Sequence, residues 1–297
     1  MAVEMYAATC RGKSRWVNQD NFFVNGIWKE DLRLPEMDCA CLCREKKQFF
    51  LVCDGMGGEA RGDQASWETA RLLSAQWKRI SPFGGFSRFS RRFVREANRR
   101  VLALTDEQGR SAGAVFSLLM LQGNQAAVCS LGDCRIYHFY GGVLERLTED
   151  HTMAGMAAGR YSAGADPAGA CFAGGYSAGA NSTGIHSAGA NSAGTYSAVG
   201  NQPWGKAWGS NVLLQYLGMP EQEMRLSPCL KEGISVSNGD MFLLCSDGLT
   251  GILSEEKLYR RLEENSRLPE KGRLLIKDAQ ENGGGDDITL ILCRVII

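Results

Sequence analysis

Five aspartates lie where apolar, strand-like runs of this chain begin or end. They belong to the segments VNQD, DGMGG, GDCR, SDGL and GGGDDIT, and are Asp20, Asp54, Asp133, Asp247 and Asp286. The end of one antiparallel strand lies beside the start of its neighbour, so we expect these carboxylates to gather at one edge of a sheet. Clustered carboxylates repel one another unless a cation neutralises them, and hard ions such as Mg²⁺ or Mn²⁺ prefer oxygen ligands. The pattern therefore predicts a divalent metal site.

The composition is that of a globular protein with no net charge. Of the 297 residues, 44% are hydrophobic, which is enough for a substantial core. Lys plus Arg and Asp plus Glu both number 33, so we expect no nucleic-acid partner. The apolar runs are too short to cross a bilayer, and the first residues lack the apolar stretch of a signal peptide. We expect a cytoplasmic protein without membrane contact, and a monomer.

The cysteines indicate buried free thiols rather than disulfides. There are 11, an odd number, and several lie inside apolar runs, which is typical of a reducing compartment. Cys39, Cys41 and Cys43 could suggest a metal site, but no second Cys or His pair at zinc spacing accompanies them. Alternate residues of a strand point the same way, so we expect one thiol-lined strand face.

Apolar periodicity predicts the elements that must position the aspartates. Residues 39–53 have the pattern of a hairpin, and residues 113–149 that of a strand meander. Residues 63–80 and 86–106 place their apolar side chains at helical spacing. Strand patterns resume after residue 210, which predicts a single domain, residues 1–297, interrupted at about 153–210.

The interruption contains nine five-residue units, residues 156–200, with glycine at the fourth place of eight of them. A five-residue β-helix is disfavoured because the central place holds Ala or Thr, which cannot form a core. The entropy lost on ordering so many small residues would go uncompensated. We expect a loosely ordered insert, with regular packing on the domain surface as the alternative.

Taken together, the aspartate segments resemble the PP2C (PPM) family of metal-dependent protein phosphatases in its bacterial form. The resemblance rests on RWVNQD, DGMGGEARGDQAS, LGDCRIYHFYGGVLERLTEDHT, CSDGLTGIL and GGGDDITLIL, and it covers nearly all of the chain outside 153–210. It implies an α+β fold in which two packed antiparallel β-sheets are flanked by α-helices in a four-layer sandwich.

The resemblance also implies metal ligands. In the family, the carboxylate at Asp54 bridges two Mg²⁺ or Mn²⁺ ions and the Gly55 carbonyl binds one of them. The residues matching Asp247 and Asp286 hold the other ion, and the one matching Asp133 can hold a third ion together with Asp247 in bacterial members. Two such ions draw in the phosphoryl oxygens and acidify a water into a nucleophile.

Two further catalytic residues are implied. Asp20 lies in the NQD segment that supports the waters of the metal centre. Arg15 precedes Asn18 by three residues and matches the arginine that binds the substrate phosphate, a task suited to a bidentate guanidinium.

The chain departs from the family pattern at four places. Met56 replaces a His of eukaryotic members, as is usual in bacterial ones. Asp287 replaces an Asn, which adds negative charge that would tighten metal binding or raise a neighbour's pKa. Ala114 and Val115 replace a Thr pair, for which we expect a packing change only. The pentapeptide insert stands where the family forms a flap over the active site.

Two functions are compatible with these residues. The first is a phosphatase that removes phosphate from phosphoserine and phosphothreonine of proteins, opposing a bacterial Ser/Thr kinase. The second is a pseudophosphatase that binds phosphoproteins without turnover. Aspartates of this kind can also be ordinary turn or cap residues, but five in the family's order, with Arg15 at the family's offset, disfavour that interpretation. The presence of all four aspartates that match the family's metal ligands favours the active enzyme over the pseudophosphatase; they are Asp54, Asp133, Asp247 and Asp286.

Overall fold

Runs of strands and runs of helices follow one another along the part of the chain that the computed structural model describes, which is residues 1–56, 61–79, 85–105, 110–157, 212–220 and 225–297. The strands are β1 (Ala2–Cys10), β2 (Asn21–Val24), β3 (Ile27–Trp28), β4 (Glu36–Cys43), β5 (Lys47–Met56), β6 (Gly113–Gln122), β7 (Gln125–Leu131), β8 (Arg135–Tyr140), β9 (Val143–Arg146), β10 (Cys229–Ser235), β11 (Met241–Cys245) and β12 (Ile288–Ile296). The helices are α1 (Gly62–Gln76), α2 (Phe86–Leu102), α3 (Met153–Ala157), α4 (Asp247–Thr250), α5 (Glu255–Glu263) and α6 (Leu268–Glu281).

The strands form two six-stranded antiparallel sheets. The first sheet has the order β4-β1-β12-β11-β8-β9, and the second has the order β10-β7-β6-β5-β2-β3. Their inner faces share one core, to which β1 contributes Val3, β5 contributes Val52 and β12 contributes Val295. The two packed antiparallel sheets of the prediction are confirmed.

A helical layer covers the outer face of each sheet. On the second sheet, Phe49 and Phe116 pack with Leu73 of α1 and Phe93 of α2. On the first sheet, Leu243 and Leu292 belong to a core shared with α5 and α6. Both faces of the central strands are therefore buried, which explains why β5 and β12 are apolar along nearly their whole length. The result is the predicted four-layer α+β sandwich.

The predicted hairpin over 39–53 is wrong, although both of its strands exist. β4 pairs with β1 in the first sheet, whereas β5 pairs with β2 and β6 in the second. Burial explains the difference, because β4 is alternately covered and exposed, as an edge strand is, while β5 is buried on both faces. The thiol-lined face of β4 is confirmed, and the Sγ atoms of Cys41 and Cys43 lie 3.5 Å apart as free thiols.

The predicted meander over 113–149 is divided between the two sheets. β6 and β7 pair in the second sheet, whereas β8 and β9 pair in the first. The chain crosses between them at residues 132–134. Gly132 has φ +94°, and a Cβ there would lie 2.1 Å from the Val115 side chain, so the crossing requires glycine.

The two predicted helices are confirmed as α1 and α2, and both end earlier than predicted. A 3-10 turn (Trp77–Arg79) follows α1. Residues 158–211, and with them nearly all of the predicted insert, lie outside the described residues. Within the described ranges, no helix is both long and apolar enough to cross a membrane.

Candidate metal centre

Asp20 and Asp54 enter the site from the second sheet. β2 and β5 are antiparallel with Asn21 opposite Cys53, so Asp20, just before β2, lies beside Asp54. Asp54 does not follow its strand, as the sequence suggested, because β5 continues through Gly55 to Met56 and pairs with β6. Gly55 is held closely, since its N–H donates to the Gln19 carbonyl at 3.1 Å and a Cβ would lie 2.0 Å from the Gly62 carbonyl oxygen.

Asp247 and Asp286 enter the same site from the first sheet. Asp247 follows β11 by two residues and begins α4, and Asp286 precedes β12 by two residues. β11 and β12 are antiparallel with Cys245 opposite Leu290, which places these two carboxylates side by side. Asp133 lies at the crossing from β7 to β8. The five aspartates therefore meet between two sheets, not at the edge of one.

The pKa shifts show how close the carboxylates are. Burial and then the charges of four neighbours raise the pKa of Asp54 well above its usual value; the neighbours are Asp20, Asp247, Asp286 and Asp133. Burial and then the Asp286 charge raise the pKa of Asp247, whose side chain is within hydrogen-bond reach of Asp54. Burial and then the Asp247 charge raise the pKa of Asp133. Each of these three carboxylates would be stabilised by a cation.

Two of the buried oxygens also lack a partner. Oδ1 of Asp20 and Oδ1 of Asp247 are buried and accept no hydrogen bond. Orphaned carboxylate oxygens are costly unless a cation or water reaches them, and an all-oxygen donor set suits Mg²⁺ or Mn²⁺. Across the described residues no three ligand side chains already form a closed ion site. The residues fit a hard cation in chemistry and place, while one of them is engaged elsewhere.

That residue is Asp286, which Arg15 holds. The Arg15 guanidinium donates from Nε to Oδ1 and from Nη2 to Oδ2 of Asp286, both at 2.8 Å. This contact is the main cause of the raised pKa of Arg15, to which the charges of Asp287 and Asp54 also contribute. The fold therefore brings Arg15 to the carboxylate cluster.

No family model matches the sequence, but it is similar to curated bacterial phosphatases. The serine/threonine phosphatase stp of Listeria monocytogenes is 25% identical over 289 residues, which are 96% of this chain and 92% of that protein. The protein phosphatase PhpP of Streptococcus pneumoniae is 24% identical over 300 residues, 98% of this chain and 96% of that protein.

Solved structures share the fold along the whole chain. The Streptococcus agalactiae serine/threonine phosphatase has a TM-score of 0.70 at 21% identity and covers 99% of both chains. The resemblance to the PP2C phosphatases is confirmed. The catalytic domain of PstP, solved in complex with two manganese ions, has a TM-score of 0.67 at 22% identity and covers 100% of both chains.

Behind the carboxylate cluster lies a polar network that the sequence did not reveal. Ser246 Oγ donates to Asp20 Oδ2 at 2.8 Å and accepts from the Thr289 N–H at 3.0 Å. Thr9 Oγ1 accepts from Thr289 Oγ1 at 2.7 Å and from Asn18 Nδ2 at 2.9 Å. Strands of the first sheet thus fix the Asp20 side chain, which belongs to the second. Short hydroxyl residues within apolar strands were the available signal.

Asp287, the departure from the PP2C pattern, fastens the loop that carries Arg15. Its Oδ1 accepts from the Gly12 N–H at 2.8 Å, and its Oδ2 accepts from the Gln19 N–H at 2.7 Å. The pKa of Asp20 is raised to about 8, first by burial and second by the charge of Asp287. The predicted effect of Asp287 on a neighbour's pKa is therefore confirmed in direction.

Lys29 is a buried cation beside these carboxylates, only 1% exposed. Its Nζ donates to the Asn18 carbonyl at 2.8 Å. Burial lowers the pKa of Lys29, and the charges of Asp20, Asp287 and Asp63 oppose that shift. A lone lysine after Ile27–Trp28 has the sequence pattern of a surface residue, so sequence reasoning missed it.

His151 holds the backbone at Gly132. Its Nδ1 accepts from the Gly132 N–H at 2.9 Å, and the His151 N–H donates to the Gly132 carbonyl at 2.9 Å. Burial lowers the pKa of His151 to about 4, which keeps Nδ1 an acceptor at neutral pH. The contact holds the crossing at which Asp133 lies.

Proposed function

We propose that this chain is a metal-dependent phosphatase that hydrolyses phosphoserine and phosphothreonine in proteins. The observation that carries the proposal is the meeting of five carboxylates, two with orphaned buried oxygens, beside the Arg15 guanidinium. Relatives that span nearly the whole chain are named serine/threonine phosphatases. The pseudophosphatase alternative has no support, since each predicted ligand position keeps its aspartate.

We assign the ligands as follows. Asp54 and the Gly55 carbonyl would share the metal centre with Asp247 and Asp286, and Asp133 would offer a further position. Asp54 suits a bridging role because its pKa responds to all four other carboxylates. Two divalent ions, when bound, neutralise the phosphate oxygens and acidify a water for attack on phosphorus.

Arg15 would bind the remaining phosphate oxygens. Its fork of two donors already holds a carboxylate, and a phosphate offers the same pair of acceptors. The guanidinium is partly exposed, at 37%, so a substrate can reach it. Asp20, fixed by Ser246 Oγ, would order water at the centre.

The decisive test is hydrolysis of p-nitrophenyl phosphate and of a phosphothreonine peptide with added Mn²⁺. We expect turnover that EDTA and Asp54→Ala both abolish. EDTA removes the ions, and Asp54→Ala removes the carboxylate proposed to bridge them. Asp38→Asn changes an exposed carboxylate outside the cluster and should retain activity. Metal-replete wild-type protein without turnover on either substrate would disprove the enzyme.

We further propose one interrupted domain, monomeric and cytoplasmic, whose substrates are made by a Ser/Thr kinase. In support, residues on both sides of 158–211 join the same fold, since Ala114 pairs with Leu217 and Thr152 pairs with Leu213. Asn98 of α2 also accepts from the Gly218 N–H at 2.7 Å.

The insert would stand in the flap position and act on substrate choice. Deleting residues 156–200 should change kcat/KM for a phosphoprotein more than for p-nitrophenyl phosphate, because only the larger substrate reaches beyond the metal centre. Equal changes for both substrates would argue against a role in recognition.

A further inference from the structure

Trp16 is an exposed aromatic side chain on a fixed loop. It directly follows Arg15 and is 94% exposed, and the neighbouring Val17 is 44% exposed. The loop backbone is held nonetheless, because the Trp16 carbonyl accepts from Arg11 Nη1 at 3.0 Å and the Lys13 N–H donates to the Gly284 carbonyl at 2.8 Å. A large apolar surface on an ordered backbone is typical of a contact surface rather than of a folding element.

A cavity opens beside this side chain. It has a volume of about 430 Å³, and its apolar lining comes from Trp16, Val17, Leu32 and Pro35. We call it the Trp16 pocket. Arg11 and Arg33 also line it, but Arg11 is hydrogen-bonded to the Trp16 carbonyl and Arg33 is paired with Asp31 at 3.1 Å. Asp63 adds one negative charge to the lining.

These charges decide the chemistry of the occupant. Arg33 is paired with Asp31, and the remaining lining charges, on Arg11 and Asp63, have opposite signs. The pocket therefore offers little net charge to an acidic or basic side chain. An aromatic ring or a long aliphatic side chain would bury the apolar surface of Trp16 and Leu32. Such a side chain carries no charge whose hydration would be lost on binding.

The Trp16 pocket lies beside Arg15, and this position indicates which molecule would supply the apolar side chain. Adjacent Cα atoms are about 3.8 Å apart and an extended peptide advances about 3.3 to 3.6 Å per residue. A phosphoresidue held by Arg15 would therefore place a side chain about one to three positions away at Trp16.

We propose that the Trp16 pocket binds an apolar side chain of the phosphoprotein substrate, one to three residues from the phosphorylated Ser or Thr. The proposal rests on the proposed function of Arg15 as the phosphate ligand. It assigns to the loop a second task, which is to select the sequence around the phosphate.

The test uses phosphothreonine peptides that carry Phe, Leu, Ala or Glu at each position within three residues of the phosphate. Wild-type protein should prefer Phe or Leu at one of these positions. Trp16→Ala should lower kcat/KM for that peptide, relative to p-nitrophenyl phosphate, about tenfold, which corresponds to about 1.4 kcal/mol. The loss should be in KM, and Trp16→Phe should recover most of it.

Val143→Ala is the matched control, because Val143 is 51% exposed and lies in the distant β8–β9 hairpin. It should leave the preference unchanged. An unchanged preference in Trp16→Ala, with p-nitrophenyl phosphate still hydrolysed, overturns the proposal.

If wild-type protein hydrolyses nothing, the proposed function fails, and the pocket is tested by binding instead. Fluorescence anisotropy of the labelled phosphopeptides would then measure Kd directly. Weaker binding of the Phe peptide by Trp16→Ala supports the pocket, and equal Kd values for wild type and Trp16→Ala overturn it.

Discussion

At the residue scale, the buried charges behind the carboxylate cluster are each committed to a backbone partner. Asp287 receives two backbone N–H groups of the Arg15 loop, and Lys29 donates to the Asn18 carbonyl between them. One acidic and one basic side chain thus hold the same short segment. Replacing either side chain should therefore lower the free energy of unfolding, and the stability of each variant should be measured before its activity.

Replacing Asp287 by Ala should destabilise the protein. Two buried N–H groups would lose their acceptor, each at a cost of about 1–3 kcal/mol. Asp287→Asn keeps one acceptor oxygen, so its free energy of unfolding should exceed that of Asp287→Ala. Urea denaturation measures both variants. Equal stability of Asp287→Ala and wild type would contradict this anchoring role.

Replacing Lys29 by Met should also destabilise the protein. The change keeps an apolar stem of similar length but leaves the buried Asn18 carbonyl without its donor, at a cost of about 1–3 kcal/mol. Lys46→Met, at an exposed turn between β4 and β5, is the control and should stay within about 0.5 kcal/mol of wild type. If the two variants unfold at the same urea concentration, Lys29 does not anchor the segment.

At the element scale, the sequence predicted strands better than it predicted their partners. The pattern of residues 39–53 predicted two strands, but only long-range packing places β4 beside β1 and β5 beside β6. The same limit explains the division of the predicted meander between the two sheets, because a crossing of three residues after Leu131 resembles any tight turn in sequence. The aspartates were predictable because each belongs to a local segment with a recognisable order.

The hidden partners of the cluster were not predictable for the same reason. Ser246, Thr289 and Thr9 are ordinary strand residues in sequence, and only the register of β12 against β1 brings Thr289 opposite Thr9. Arg15 was assigned through its offset from Asn18, yet its pairing with Asp286 joins residues 271 positions apart. Such contacts arise from topology, which local patterns do not encode.

At the scale of the whole molecule, a cluster of carboxylates with raised pKa values makes the metal-free fold sensitive to pH. An unfolded aspartate has a pKa of about 3.9, whereas that of Asp20 is about 8 and those of Asp54, Asp133 and Asp247 are also raised. The native state therefore binds more protons than the unfolded state between about pH 4 and pH 8. Stability from these groups is present below this window and is lost as pH rises through it.

We therefore expect the Tm of the protein in EDTA to fall between about pH 5 and pH 8. Saturating Mn²⁺ should raise the Tm most at the alkaline end, because the ions neutralise carboxylates that are then ionised. Calorimetric scans across this range, with EDTA or with Mn²⁺, measure both effects. A Tm in EDTA that rises over the same interval would contradict the assignment of these pKa shifts.

The carboxylate cluster joins the two sheets of the sandwich. Asp20 and Asp54 belong to one sheet and Asp247 and Asp286 to the other, and the two sheets share a core, while among the described strands no ladder of hydrogen bonds joins them. An ion bound by both pairs would stabilise the packing of the two sheets against each other, because it binds only while the sheets are packed together. Hydrogen exchange in β5 and β12 should then slow together on Mn²⁺ addition, so that the catalytic ion also reports whether the two sheets open as one cooperative unit.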